Sequence, residues 1–156
     1  MPWRVKSRLI RPACAGLAYA ILVFGVGFAL GTIRVLLVAP HVGPGAAVLI
    51  ELPLILGASW WISLACVAHF RVSRAVAARL VMGVAAFLVL MLAEVSLSAV
   101  LFGGFITEYL ASLATLPGAL GLAAQVLFAG FPLVQAGLVS PIRGGRSERG
   151  GRGGSP

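Results

Sequence analysis

The chain has 156 residues, of which 60% are hydrophobic and 10% charged, with a mean hydropathy of +1.06. Soluble domains carry roughly a quarter charged residues, so composition excludes an ordinary water-soluble domain and makes the bilayer the expected solvent. The net charge of +8 is gathered at the two ends and in one loop, which leaves no stretch for a separate soluble domain.

In chain order, residues 1–12 form a basic leader carrying Arg4, Lys6, Arg8 and Arg11, with Trp3 as an interfacial anchor. Pro12 suits the first turn of a helix, where its missing N–H is no loss. Residues 13–39 form the first span. Their apolar run exceeds the ~7–15 residues of a signal-peptide core, so an uncleaved helix is expected. Pro40-His41-Val42-Gly43-Pro44-Gly45 reads as a turn, which makes the first two helices a hairpin. Residues 46–70 are the second span, with Pro53 inside it and Trp60-Trp61 read as a second interfacial anchor.

Residues 71–79 are a short basic loop with Arg71, Arg74 and Arg79. Residues 80–102 are the third span, broken by Gly103-Gly104. Residues 105–114 are too short to cross. Phe105, Ile106, Tyr109, Leu110 and Leu113 share one helical face, opposite Thr107, Glu108 and Ser112, as in a helix lying on a membrane surface. Residues 117–139 are the fourth span. Residues 140–156 are Gly, Ser and Arg with little to bury, a disordered basic tail. The fold class is therefore all-α, an integral membrane four-helix bundle with spans near the ~20 residues that crossing requires.

Eleven of the twelve Lys and Arg residues fall on the side of the two termini, and Arg34 alone falls on the other. The positive-inside rule then places both termini in the cytoplasm. The basic ends are expected to contact anionic lipid headgroups. The Arg-Gly repeats of the tail lack the aromatic side chains that nucleic-acid stacking uses. Cys14 and Cys66 are the only cysteines. Both are expected near the cytoplasmic ends of their helices, where a reducing compartment disfavours a disulfide, and are read as packing residues.

Four polar side chains interrupt the apolar runs. At ~1.5 Å per helical residue, Arg34 and Glu51 each lie roughly 7–8 Å inside the outer helix ends, and Glu94 and Gln125 roughly 12 Å. An isolated charge in mid-bilayer costs about 2.5–3.5 kcal/mol on insertion scales, so Arg34 is expected to pair with Glu51. With two carboxylates and one cation, the deeper Glu94 is expected to hold its proton, with Gln125 as a donor to a carboxylate. Small residues share these faces: Gly27 and Gly31 with Arg34, Ala58 with Glu51, Gly118 and Gly121 with Gln125. Such residues mark close helix approach. On Glu94's face Gly83 and Ser98 are joined by the bulky Phe87 and Met91. Pro53 and Pro132 are expected to kink their helices, freeing the carbonyls of Leu49 and Phe128.

The segments Gly27-Phe28-Ala29-Leu30-Gly31-Thr32-Ile33-Arg34 and Glu51-Leu52-Pro53-Leu54 resemble a family of small, uncharacterised bacterial inner-membrane proteins with four predicted helices. The resemblance covers most of the chain except the tail. It implies the topology and a bacterial plasma membrane, and no activity.

No GxSxG, HExxH, CxxC or phosphate-binding loop is present, and His41 and His69 are expected on opposite sides of the membrane. No catalytic residue, cofactor or metal site is therefore assigned. Three readings remain. The polar cluster Arg34, Glu51, Glu94 and Gln125 holds the helices together; or an intramembrane glutamate serves a small proton- or cation-coupled transporter, a homodimer because one chain is small; or the helices scaffold a larger complex.

Overall fold

The computed structural model describes residues 3–102 and 106–138, all helix and short connections. Four helices in it are long and apolar enough to cross a membrane: Leu9–Val42, Pro44–His69, Val76–Val100 and Leu116–Leu138. Without water in the hydrocarbon, a spanning segment must satisfy its own backbone polar groups, and these apolar runs do so as helices. The tail from residue 139 onwards and Gly103-Gly104-Phe105 lie outside the described residues.

The first helix departs from the sequence reading at both ends. Helix α1 spans Trp3–Ile33 and carries Pro12 in its interior rather than in its first turn. After Ile33 the chain widens into a π-helical segment, Arg34–Val38, in which the Ala39 N–H donates to the Arg34 carbonyl. It then tightens into α2, Ala39–Val42, with Pro40 in its first turn. The expected turn over residues 40–45 is thus mostly helix. The cause lies in Pro40, whose ring clashes with the carbonyl four residues back and which has no N–H to offer it. Adding one residue to the turn relieves that conflict, as π-bulges commonly do. The reversal falls on Gly43, whose φ of 83° lies where glycine is favoured. Pro44 opens α3, Pro44–His69.

Helix α3 ends in a Schellman motif. The Val72 N–H donates to the Val67 carbonyl at 3.0 Å, and the Arg71 N–H to that of Ala68 at 3.2 Å. Arg71 takes the left-handed position (φ 51°) that glycine usually fills, and Val72 turns into the core, 6% exposed. The basic loop is shorter than expected, because α4 already begins at Val76 and runs to Phe102. Arg79 is consequently a helical residue. Its side chain is buried, and its Nε donates to the Ser73 carbonyl at 3.0 Å, clamping the connection to α4. Helix α5 spans Ile106–Leu113 and α6 spans Leu116–Leu138.

The long helices do not follow one another around the bundle. Helix α1 packs on α3 and α4, and α6 packs on the same two, so α3 and α4 face each other across the diagonal. Residues 70–75 therefore carry the chain across the end of the bundle. This end also holds the start of α1 and the end of α6, and is called here the basic end; the opposite end holds Gly43 and α5.

Packing is tight in the basic half. A core forms from Ala15, Tyr19 and Val23 of α1, Cys66 of α3, Met82 and Ala86 of α4, and Phe128 of α6. Backbones approach closely at two glycines. A Cβ on Gly16 would stand 2.5 Å from the Met82 carbonyl oxygen, and one on Gly83 would meet the carbonyl oxygen of Ala129. In lipid, where apolar surface gains little by leaving its solvent, such small-residue contacts supply the packing.

Candidate functional site

The Gly43 half is built differently. Between the four long helices lies a cavity of about 760 Å³, open to the outer surface of the bundle beside the exposed Phe28, Val35 and Leu36, with Ser112 and Leu113 of α5 in its wall. Most of its lining is aliphatic and aromatic. Arg34, Glu51, Glu94 and Gln125 are all part of that lining, so the structure brings the four sequence-predicted residues to one site.

They meet there as two pairs. Arg34, at the first position of the π segment, approaches Glu51 of α3 with Nε 2.5 Å from Oε2. Both side chains are partly exposed, 27% and 17%, so the pair sits at the cavity edge rather than in a sealed core. Gly31, one turn before Arg34, leaves it room: a Cβ there would lie 4.0 Å from both the guanidinium and the carboxylate. The second pair joins α4 to α6, where Gln125 Nε2 donates to Glu94 Oε2 at 2.5 Å. Gln125 is 9% exposed, and its Oε1 is buried without a hydrogen-bond partner among the described residues. Each hairpin thus closes on its own polar pair, Arg34–Glu51 in the first and Glu94–Gln125 in the second.

The small residues act differently from the expectation. Gly27 and Gly31 do not bring backbones together, since the nearest atom to a Cβ on Gly27 would be Ile55 Cδ1 at 3.6 Å, and a Cβ on Gly121 would meet nothing within 4 Å. These glycines line the cavity: the missing side chains are part of the space. Gly118 alone among them makes a close approach, with a Cβ there colliding with the Ser112 carbonyl of α5. The same carbonyl accepts from the Thr115 hydroxyl at 2.6 Å, and the Gly118 N–H in turn donates to Thr115 Oγ1 at 3.3 Å. Thr115 so caps α6 and fixes the short helix against it.

The two prolines sit in unlike places. Pro53 is exposed on α3, two residues after Glu51. Pro132 is fully buried in α6. The carbonyl that Pro132 leaves without its helical donor, that of Phe128, accepts from the Tyr19 hydroxyl at 3.1 Å, and the two rings stack with centroids 4.3 Å apart.

A second polar network went unassigned in the sequence. Ser63 Oγ donates to Gln135 Oε1 at 2.9 Å, and Gln135 Nε2 donates to the Trp60 carbonyl at 3.0 Å. Ser63 and Gln135 are both buried, and the network ties α3 to α6 below the cavity. Trp60 packs edge-on against Phe131 at 5.3 Å, so of the tryptophan pair only Trp61, 72% exposed, is free to face lipid. The signal for this network was present: Ser63 and Gln135 are polar groups in apolar runs, and each needs a partner.

No protein-family model, characterised protein or solved structure matches this chain. The site is therefore read from its own residues.

Proposed function

We propose that this chain is a multi-pass membrane protein that binds a small, largely apolar molecule in the cavity of its Gly43 half. The observation that carries this reading is the cavity itself: about 760 Å³, lined mainly by apolar groups with four polar side chains gathered in it. Ligand sites have this character, with volumes of roughly 300–1,000 Å³, apolar walls and a few polar groups that orient the guest. The positive-inside count supports cytoplasmic termini and the Gly43 end on the opposite side of the membrane. A bacterial source follows from the resemblance alone.

A structural role for the cluster stands beside this function. The direct contact of Arg34 with Glu51 favours the first pair as the link within the first hairpin, and the Gln125–Glu94 hydrogen bond favours the second pair as the link between α4 and α6. A transport cycle driven by protons or cations would use the same cavity, with a second copy of the chain completing the path.

The test is saturable binding of a neutral fluorescent probe, N-phenyl-1-naphthylamine, to the purified protein in nanodiscs. Wild type is expected to bind stoichiometrically. Gly121→Trp, which places an indole in the cavity, is expected to lose that binding while its far-ultraviolet circular dichroism stays helical. Equal binding by the two proteins would remove this function.

A further inference from the structure

We infer that the cavity takes in one acyl chain of a bilayer phospholipid, which enters sideways from the leaflet at the Gly43 end. The inference rests on the ligand-binding reading above and names the guest. It starts from where the cavity opens. Phe28, Val35 and Leu36 line it and are 54%, 58% and 66% exposed. Phe28 falls near the middle of the span Leu9–Val42, roughly 21 Å from its Gly43 end at ~1.5 Å per residue. That depth is hydrocarbon, in a core about 30 Å thick, so lipid chains rather than water stand at the opening.

The wall is prepared for a hydrocarbon guest. Two of its hydroxyls turn back on their own helix: Thr32 donates to the Phe28 carbonyl at 2.8 Å, and Ser59 to that of Ile55 at 2.7 Å. Arg34 meets Glu51, Gln125 donates to Glu94, and the Gln125 Oε1 is shut inside the protein. A guest with polar groups of its own would find few partners here, and burying such groups unpaired is costly. A methylene chain leaves nothing unpaired. Apolar cavities stay dry, and an empty one forfeits the dispersion contacts of its lining, so a chain that fills this one gains where water would not.

The dimensions fit one chain. Along α1 and the π segment the lining runs from Val23 to Leu36, roughly 20 Å, which accommodates the ~15 Å that is one leaflet's half of the hydrocarbon core. Arg34 and Glu51 stand at the shallow end of that run and Phe128 at the deep end. The chain therefore lies with its ester end towards Arg34 and Glu51 and its methyl end towards Phe128, while the headgroup and second chain stay in the leaflet.

The test uses the full chain in phosphatidylcholine nanodiscs doped with a phosphatidylcholine that carries a diazirine on an acyl chain or, in a parallel set, on the headgroup. After illumination the labelled residues are mapped by mass spectrometry. The acyl-borne diazirine is expected to mark Leu56 and Leu97 in the cavity wall, along with the exposed Leu92 and Val126. The headgroup-borne one is expected to mark neither Leu56 nor Leu97. Gly121→Trp and Leu122→Trp, each filling the cavity from α6, are expected to lose the marking of Leu56 and Leu97 and to keep that of Leu92 and Val126.

Three results would overturn the acyl chain and leave the cavity reading to the neutral probe: marking of Leu92 and Val126 without Leu56 and Leu97 in wild type, equal marking of Leu56 and Leu97 by the headgroup-borne diazirine, or marking of these two that survives in both tryptophan variants. N-phenyl-1-naphthylamine that fails to bind wild type, or that binds Gly121→Trp as well, would remove the cavity reading itself.

Discussion

The two halves of this bundle use the same residue types to opposite ends. In the basic half, Gly16 and Gly83 let backbones touch, and Tyr19, Ser63 and Gln135 spend their polar atoms on neighbours inside the core. In the Gly43 half, Gly27, Gly31 and Gly121 leave space, and Arg34, Glu51, Glu94 and Gln125 line it. A glycine in a membrane helix is therefore not by itself a sign of close packing. What decides is whether the facing helix presents a backbone or a gap, and polar residues divide the same way.

Substitutions can break or sharpen this contrast. The largest effect is expected at Gly83. A Cβ there collides with the Ala129 carbonyl, which no rotamer relieves, so Gly83→Ala should lose about 2–3 kcal/mol, as overpacked cores do. Thermal unfolding in detergent would show it. Next comes Arg34→Ala, which strands Glu51 at the cavity edge. A loss of about 1–2 kcal/mol changes cellular abundance several-fold, and adding Glu51→Ala to the same chain should restore part of it. No recovery in the double variant would mean the two residues are not coupled.

A smaller effect is expected from Tyr19→Phe. It keeps the stacking on Phe128 and removes only the hydroxyl donor to the carbonyl that Pro132 frees. Leaving that buried acceptor unmet should cost about 1–3 kcal/mol, towards the lower limit because the ring stays packed. The smallest is Arg71→Gly. It relieves a left-handed conformation that costs a non-glycine residue about 1–2 kcal/mol, less the backbone entropy of glycine of roughly 0.5–1 kcal/mol. The net is a slight stabilisation, readable as a small rise in melting temperature.

The topology was legible because length and hydropathy speak directly to bilayer thickness. Four apolar runs of spanning length admit little besides four helices. The pair Arg34–Glu51 was legible for a related reason, since depth counted along a helix places the two at one level; that count also put Glu94 and Gln125 at a common depth, without saying which carboxylate the glutamine would meet. The π segment was not, since its cause is a conflict between Pro40 and a carbonyl one turn earlier, and the apolar pattern of Val35 to Val38 is indifferent to which turn absorbs it. Nor was the diagonal crossing of residues 70–75, because hydropathy along a chain carries no information about which helices become neighbours. The cavity was hidden for the same reason: Gly121 reads identically whether a helix or a void faces it. Arg79 reads as a loop charge in the sequence because an arginine after an apolar break resembles topology signalling, whereas its guanidinium binds the loop carbonyl of Ser73.

The claim that one half is closed and the other hollow is tested most directly by adding bulk to each. Gly121→Leu puts a side chain where nothing lies within 4 Å of a Cβ, in the wall of the cavity, whereas Gly83→Ala adds a single methyl in the packed half. Melting temperatures of the two purified variants, measured beside wild type in the same detergent, decide the matter. The structure predicts that Gly121→Leu melts at or above wild type and Gly83→Ala clearly below it. A Gly121→Leu protein that melts as low as Gly83→Ala would contradict the account.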